Sequence, residues 1–216
     1  MNRAQLLKRW KKSAIIHVAS MIITYQGGNY FKIQSGELAI LIDPENQRSY
    51  RGTQIIVNTV KPTLVERPED SDDDSAQPVW IENQGEYEIK GIRIRGWSTG
   101  YDSKTKRETT AYRILFDDIS IVILGHISET INPEIVSELT DADILIAPAG
   151  GSPYVSQQII SKLIRQMEPG IIIPSLYKDV KPFLKELDHP EAKPEDKLVI
   201  KKKDIVAKAM KVSVLQ

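Results

Sequence analysis

ADILIAPAGG, residues 142–151, is the stretch that decides the fold. Its centre is an unbroken apolar run, and Gly150 and Gly151 close it. A strand without polar alternation is buried on both faces, as in a parallel sheet covered by helices. IIIPSLY, residues 171–177, has the same character and predicts a second buried strand.

A helix is predicted between these two strands. Ser152 and Pro153 predict its start, and Pro169 with Gly170 predicts its end. Apolar residues recur on one helical face, namely Ile159, Ile160, Leu163, Ile164 and Met167. An apolar stripe at this spacing packs on a core.

Strands and helices are also predicted in the segments on either side. Asn132 is a predicted N-cap, followed by Pro133 and Glu134 in the first turn of a helix that ends near Thr140. Upstream, two runs joined at Asp117-Asp118 predict a hairpin. The remaining elements are the hairpin strands TAYRILFDD (110–118) and ISIVILGH (119–126), the short helix VKPFLKELD (180–188), and two closing strands in LVIKKKDI (198–205) and MKVSVLQ (210–216).

The first half of the chain is β-rich. MIITYQG (21–27), YFKIQSG (30–36) and LAILIDP (38–44) predict a meander, and IIV (55–57) predicts a further strand. VWIENQGEYEIKG and IRIRGW, at 79–97, alternate as half-buried antiparallel strands do. Strands first and helices later predict two packed sheets covered by helices.

Composition excludes several classes of function. Twenty-nine basic and twenty-nine acidic residues cancel among 216, so no global field favours nucleic acid or membranes. The absence of cysteine excludes disulfides, thiolate zinc sites and a cysteine nucleophile. Three histidines make a histidine-rich metal site difficult to build. No apolar run approaches the roughly 18 residues of a membrane helix.

The first twenty residues form a basic N-terminal extension. Five basic residues precede a short apolar stretch that His17 interrupts. A signal peptide has a longer apolar stretch, so we interpret residues 1–20 as a solvated lead-in, or as residues upstream of a start at Met21. A targeting helix or a helix lying on a lipid surface is the alternative.

Five stretches, in this order and spacing, resemble the metallo-β-lactamase fold superfamily, in particular its small single-domain hydrolase-like members. They are LAILIDP (38–44), QGEYEIKGIRIRG (84–96), ISIVILGH (119–126), ADILIAPAGG (142–151) and IIIPSLY (171–177). The resemblance implies an α+β fold, a four-layer αββα sandwich in which two mixed sheets pack face to face with outer helices. It implies one domain at 21–216, and it reports fold more than chemistry.

The resemblance also implies where the metal ligands of that family would fall. In the family, a loop with the pattern His-x-His-x-Asp-His joins two later histidines and an aspartate around one or two metal ions. The loop positions here are Thr59, Lys61, Thr63 and Leu64; the others are Tyr101 beside Asp102, His126 for the aspartate, and Leu176. Lysine repels a cation and leucine has no lone pair, so only His126 remains a ligand by type. We therefore predict a vestigial cleft at these residues, with no metal and no cofactor.

A new site around His126 is left open. Asp43, Asp102 and Glu86 are expected to share its rim, where they could hold a hard cation weakly. The structural alternative is a hydrogen-bonded histidine at a strand end.

Other motifs give weaker indications of function. Asp70, Asp72 and Asp74 alternate as in an EF-hand loop, but Ser75 and Ile81 stand where glycine and glutamate are needed, so a solvated loop is favoured. Ser175 lacks a G-x-S-x-G turn, and no phosphate-binding glycine motif occurs. Lys201–Lys203 has no interleaved aromatic residues, which disfavours nucleic acid.

We therefore expect a pseudoenzyme in the cytoplasm that binds a partner protein or a small ligand. The alternative is a metal-dependent hydrolase, of the phosphodiesterase or lactonase type, with an atypical site around His126. Edge strands could also pair between copies, which leaves a homodimer open.

Overall fold

A computed structural model describes residues 20–47, 50–67, 77–103 and 105–216. Nearly all of the predicted basic extension, residues 1–19, lies outside the described residues. The acidic block with Asp70, Asp72 and Asp74 does so as well, and both interpretations stay predictions.

Sixteen strands and three α-helices occupy the described part of the chain. The strands are β1 (Met21–Tyr25), β2 (Phe31–Ser35), β3 (Leu38–Ile42), β4 (Ile55–Val57), β5 (Val60–Lys61), β6 (Val79–Ile81), β7 (Gly85–Ile89), β8 (Ile92–Asp102), β9 (Arg107–Phe116), β10 (Ile119–Ile123), β11 (Ile144–Pro148), β12 (Ile171–Ser175), β13 (Pro194–Glu195), β14 (Leu198–Ile200), β15 (Lys211–Val212) and β16 (Val214–Leu215). The helices are α1 (Pro133–Glu138), α2 (Gln157–Met167) and α3 (Lys181–Glu186).

Sheet A contains six strands in the order β14-β1-β2-β3-β4-β6. The first three strands of the chain are antiparallel neighbours, which confirms the predicted meander. β4 and β6 then add in parallel to β3, and β14 pairs antiparallel with β1. Parallel and antiparallel pairs in one sheet make it mixed.

Sheet B follows the order β15-β12-β11-β10-β9-β8-β7, with β5 paired beside β9. The pairs among β7, β8, β9 and β10 are antiparallel, whereas β10, β11, β12 and β15 run parallel to one another. The turn between β9 and β10 places Asp117 and Asp118 at φ 48° and 62°. Two left-handed residues define a type I′ turn, whose twist matches the flanking strands, so the predicted hairpin is confirmed.

The main core lies between the two sheets. Phe31 and Ile42 of sheet A belong to the same buried cluster as Ile114, Phe116 and Ile146 of sheet B. The other face of sheet B packs against the helices, where buried side chains of all three helices join those of β10, β11 and β12. The predicted α+β sandwich of two mixed sheets with outer helices is confirmed.

The helix α2 begins later than the sequence predicts. Val155 donates its backbone N–H to the Ile127 carbonyl (3.0 Å), so the chain just after Pro153 is hydrogen-bonded to the loop after β10 and is not yet helical. Ser156 is the actual N-cap, and its side chain accepts from the Ile159 amide. The buried stripe is otherwise as predicted, except that Ile159 is 37% exposed.

The closing strands are also shorter than predicted. β14 ends at Ile200, because Lys202–Asp204 forms a 3-10 turn in which the Lys201 amide donates to the Asp204 carboxylate. Lys202 pairs with Asp143, at 2.5 Å between Nζ and Oδ2. None of the helices in the described ranges is long and apolar enough to cross a bilayer.

Candidate functional site

A cavity of about 200 Å³ opens where the parallel strands of sheet B end. The loops after β10, β11 and β12 contribute His126, Tyr154 and Leu176 to its wall. The return of the β8–β9 hairpin contributes Arg107, and the loop after β3 contributes Glu45. We call this space the rim cavity. Ligands of open α/β sheets bind at the carboxyl ends of strands, which makes it the candidate site.

A buried hydrogen-bond chain supports His126 from behind. Asp43 is fully buried in the loop after β3, and Thr59 is fully buried just before β5. The Thr59 hydroxyl donates to Asp43 Oδ2 at 2.5 Å and lies 3.0 Å from His126 Nδ1. His126 Nδ1 is 3.5 Å from the same Asp43 oxygen.

This chain determines the tautomer of His126. The single proton of the Thr59 hydroxyl points at Asp43, so the Thr59 oxygen can only accept from His126. His126 Nδ1 therefore carries the proton, and Nε2 carries the lone pair. Burial lowers the pKa of His126 below its ordinary value, and the opposing field of Asp43 does not cancel the effect. The ring is neutral near pH 7, with Nε2 as an acceptor.

Both oxygens of the Asp43 carboxylate accept hydrogen bonds from protein donors. Oδ1 accepts from the Thr59 backbone amide at 2.6 Å, and Oδ2 accepts from Asn29 Nδ2 at 2.6 Å as well as from the Thr59 hydroxyl. A buried carboxylate requires this kind of compensation. Its backbone is also held at φ 41°, in the left-handed region.

A glycine beside the chain makes this packing possible. Gly125 has φ 61°, and a Cβ there would lie 2.4 Å from both Cβ and Oγ1 of Thr59. Only glycine allows β10 to turn past Thr59 and present His126 to the rim cavity.

The side chains at the positions predicted for the family's metal ligands do not fit a metal ion. The Thr59 hydroxyl is engaged with Asp43, Lys61 Nζ donates to Asn83 Oδ1 at 2.9 Å, and the Thr63 hydroxyl donates to the Val65 carbonyl at 2.8 Å. Leu64 and Leu176 offer only hydrocarbon. Within residues 20–47, 50–67, 77–103 and 105–216, no group of three or more His, Asp or Glu side chains is arranged to hold a metal.

The predicted cleft residues divide into two groups. Those that line the rim cavity are Leu64, Asp102, His126 and Leu176, and Thr59 lies beneath them. Those that do not line it are Lys61, Thr63 and Tyr101, the last being 61% exposed at the end of β8. Asp102 faces the cavity and accepts from the Thr105 hydroxyl at 2.8 Å.

The expectation that Glu86 shares this rim is wrong. Glu86 pairs with Arg95 across β7 and β8, seven residues before Asp102 on β8. At about 3.3 Å per residue, this register separates the two positions by roughly 23 Å. Glu86 instead lines another hollow and forms an ion pair with Arg95 at 3.2 Å.

Among the cavity residues not predicted from the sequence, Glu45, Arg107 and Tyr154 carry charged or aromatic side chains. Arg107 faces Asp102 in the β8–β9 register, so recognising the hairpin return could have found it. Tyr154 packs edge-on against His126, with ring centroids 5.7 Å apart. Burial raises the pKa of Tyr154, so its hydroxyl stays protonated.

Backbone strain is present at Leu176, the last of the predicted cleft residues. Leu176 has φ 54°, which costs a non-glycine residue about 1–2 kcal/mol. Its amide donates to the Gly28 carbonyl at 2.7 Å, and a Cβ at Gly150 would meet its carbonyl oxygen at 2.1 Å. Such strain clusters at functional sites, and here it shapes the cavity wall.

The fold matches solved structures of low sequence identity. A proposed zinc-dependent hydrolase of the metallo-β-lactamase superfamily from Thermotoga maritima aligns with a TM-score of 0.71 and 21% identity, over 90% of this chain and 98% of that one. The metallo-β-lactamase fold protein YhfI from Bacillus subtilis aligns at 0.61 and 12%, over 90% and 96%. Igni18, a metallo hydrolase from Ignicoccus hospitalis, aligns at 0.62 and 14%, over 91% and 95%.

The sequence itself also identifies the family. No curated protein matches the chain closely enough in sequence to count as a relative. A family model described as a beta-lactamase superfamily domain matches residues 22–175, from β1 to the end of β12. This chain belongs to the metallo-β-lactamase superfamily.

Proposed function

We propose that this protein is a non-catalytic member of its superfamily that binds a small ligand in the rim cavity. The observation that carries the proposal is the saturation of Asp43. Both of its oxygens accept from Thr59, and Oδ2 also accepts from Asn29. The strongest buried anion near the site thus stabilises the loop before β5, and it is not presented to a metal.

The hydrocarbon at two other positions supports the same conclusion. Leu64 and Leu176 line the cavity where the family has imidazoles. A divalent ion beside these two side chains would lose water ligands and gain no donor atoms from them, which is unfavourable. A small organic molecule, in contrast, benefits from apolar walls with a few polar groups.

Metal retention tests the proposal. The full chain is incubated with Zn²⁺, Mn²⁺ or Fe²⁺, desalted, and assayed for bound metal by mass spectrometry. We expect less than stoichiometric metal in every case, and the same result for His126→Ala. One tightly bound ion per chain, lost in His126→Ala, would overturn the proposal.

A metal-dependent hydrolase centred on His126 is the second candidate. The observation in its favour is the unprotonated Nε2, which the Asp43–Thr59 chain orients toward a cavity that also holds Asp102. Histidines that bind metals or accept protons are commonly oriented in this way. Phosphodiesterase and lactonase assays decide the matter, because His126→Ala must abolish any genuine activity. Activity unchanged in that variant belongs to a contaminant or to another site.

A protein partner stays a prediction. In the described part of the chain, β14 and β6 form the edges of sheet A, and Val199 on β14 is 53% exposed. Unpaired strand edges can pair between copies. Light scattering after gel filtration measures whether the chain forms the predicted homodimer.

A further inference from the structure

The rim cavity holds two opposite charges that do not touch each other. Glu45 and Arg107 both line it, yet neither side chain forms an ion pair within the described part of the chain. The third charged residue of the wall, Asp102, is already hydrogen-bonded by Thr105. Behind the wall, Asp43 is occupied by Thr59 and Asn29.

The two charges act on the same pair of rings. Glu45 raises and Arg107 lowers the pKa of His126, and both act in the same senses on Tyr154. Each charge therefore lies within electrostatic range of both rings, although the two are not in contact. The cavity of about 200 Å³ thus has a negative group and a positive group on its wall.

Gly28 provides the position of the Glu45 carboxylate. A Cβ at Gly28 would lie 2.4 Å from Glu45 Oε1, so a larger residue would displace that oxygen. The same glycine has φ 58° and accepts from the Leu176 amide through its carbonyl. The residue that makes room for the carboxylate is therefore hydrogen-bonded to Leu176, another residue of the cavity wall.

The volume limits the ligand. At about 30 Å³ per water, the 200 Å³ cavity holds about seven waters. Pockets for drug-sized ligands are larger, about 300–1,000 Å³. A simple anion would meet Arg107 but be repelled by Glu45, and a simple cation would be repelled by Arg107.

We propose that the rim cavity binds a small zwitterion of the amino-acid type, a proposal that rests on the proposed binding function. The ligand carboxylate pairs with the Arg107 guanidinium, which can donate two parallel hydrogen bonds. The ligand ammonium donates to Glu45 and to the lone pair of His126 Nε2. The Tyr154 hydroxyl completes the polar wall, and Leu64 and Leu176 contact the hydrocarbon between the two charges.

Isothermal titration calorimetry tests this at neutral pH with glycine, β-alanine and L-serine as probes. Acetate and methylamine serve as the corresponding single-charge fragments. The variants are Arg107→Gln and Glu45→Gln, with Arg51→Gln as the control, because Arg51 is exposed and outside the cavity. Thermal melting shows whether each variant is folded, and Glu45 is an exposed side chain whose change spares the core.

We expect at least one zwitterion to bind wild type at least about tenfold more tightly than either fragment, as a charge-assisted hydrogen bond at each end implies. Arg107→Gln weakens the zwitterion and acetate alike, whereas Glu45→Gln weakens the zwitterion about tenfold and strengthens acetate, because the repelling carboxylate is gone. Arg51→Gln binds as wild type does. Absence of saturable zwitterion binding, or equal affinity of Glu45→Gln and wild type, overturns the inference. Stoichiometric metal would instead overturn the proposed function, so the two failures are distinguishable.

Discussion

Removing the Asp43 carboxylate is the most direct test of the site. In Asp43→Ala, three donors lose their acceptor in a region that is fully buried: Asn29 Nδ2, the Thr59 amide and the Thr59 hydroxyl. An unsatisfied buried donor costs about 1–3 kcal/mol, so the upper limit is about 9 kcal/mol. Water that enters the vacated space, and the removal of a buried charge, reduce this to about 3–5 kcal/mol.

Urea unfolding followed by tryptophan fluorescence measures this loss. For a chain of 216 residues, each kcal/mol lowers Tm by about 2–4 °C, so the expected drop in a thermal melt is about 6–20 °C. Asp196→Ala is the matched control, because Asp196 is exposed, and surface changes of this kind stay within about 0.5 kcal/mol. A loss below about 1 kcal/mol for Asp43→Ala would refute the reasoning, since it would mean that the donors do not depend on the carboxylate.

Three further predictions concern the same loops and turns. Gly125→Ala should destabilise the fold more than Gly36→Ala in urea unfolding, because both residues have positive φ but only Gly125 also meets Thr59; equal losses would contradict the contact. Burial depresses the pKa of His126 in the folded protein. As the pH falls below about 6.5, this histidine is therefore protonated first in the unfolded chain. The free energy of unfolding then falls by up to about 1.4 kcal/mol per pH unit. Unfolding at several pH values should show a smaller loss in His126→Gln, and an unchanged slope would exclude His126 as its source. Asp118→Gly should raise stability by about 0.5–1 kcal/mol in thermal melts, because glycine tolerates the φ of 62°, and a lower Tm would argue against strain in this turn.

Much of the fold follows from local patterns. The unbroken apolar runs at 144–148 and 171–174 became buried parallel strands, because a strand covered on both faces cannot alternate. The N-cap at Asn132 was also predictable from the sequence, and its side chain accepts from the Glu134 amide at 2.8 Å. The start of α2 could not be predicted from the sequence, because it depends on a hydrogen bond from the Val155 amide to Ile127, a residue distant in the sequence.

The sequence by itself determined which donor atoms exist, and it predicted from the resemblance that no imidazole stands at the family's histidine positions. Side-chain identity alone determines the donor atoms, without coordinates. Only the tertiary structure decided what replaced them. Thr59 meets Asp43 across 16 residues and His126 across 67, and Glu45 and Arg107 come to one cavity from different loops. Such contacts depend on the stacking of two sheets and on strand register, and no local pattern specifies them.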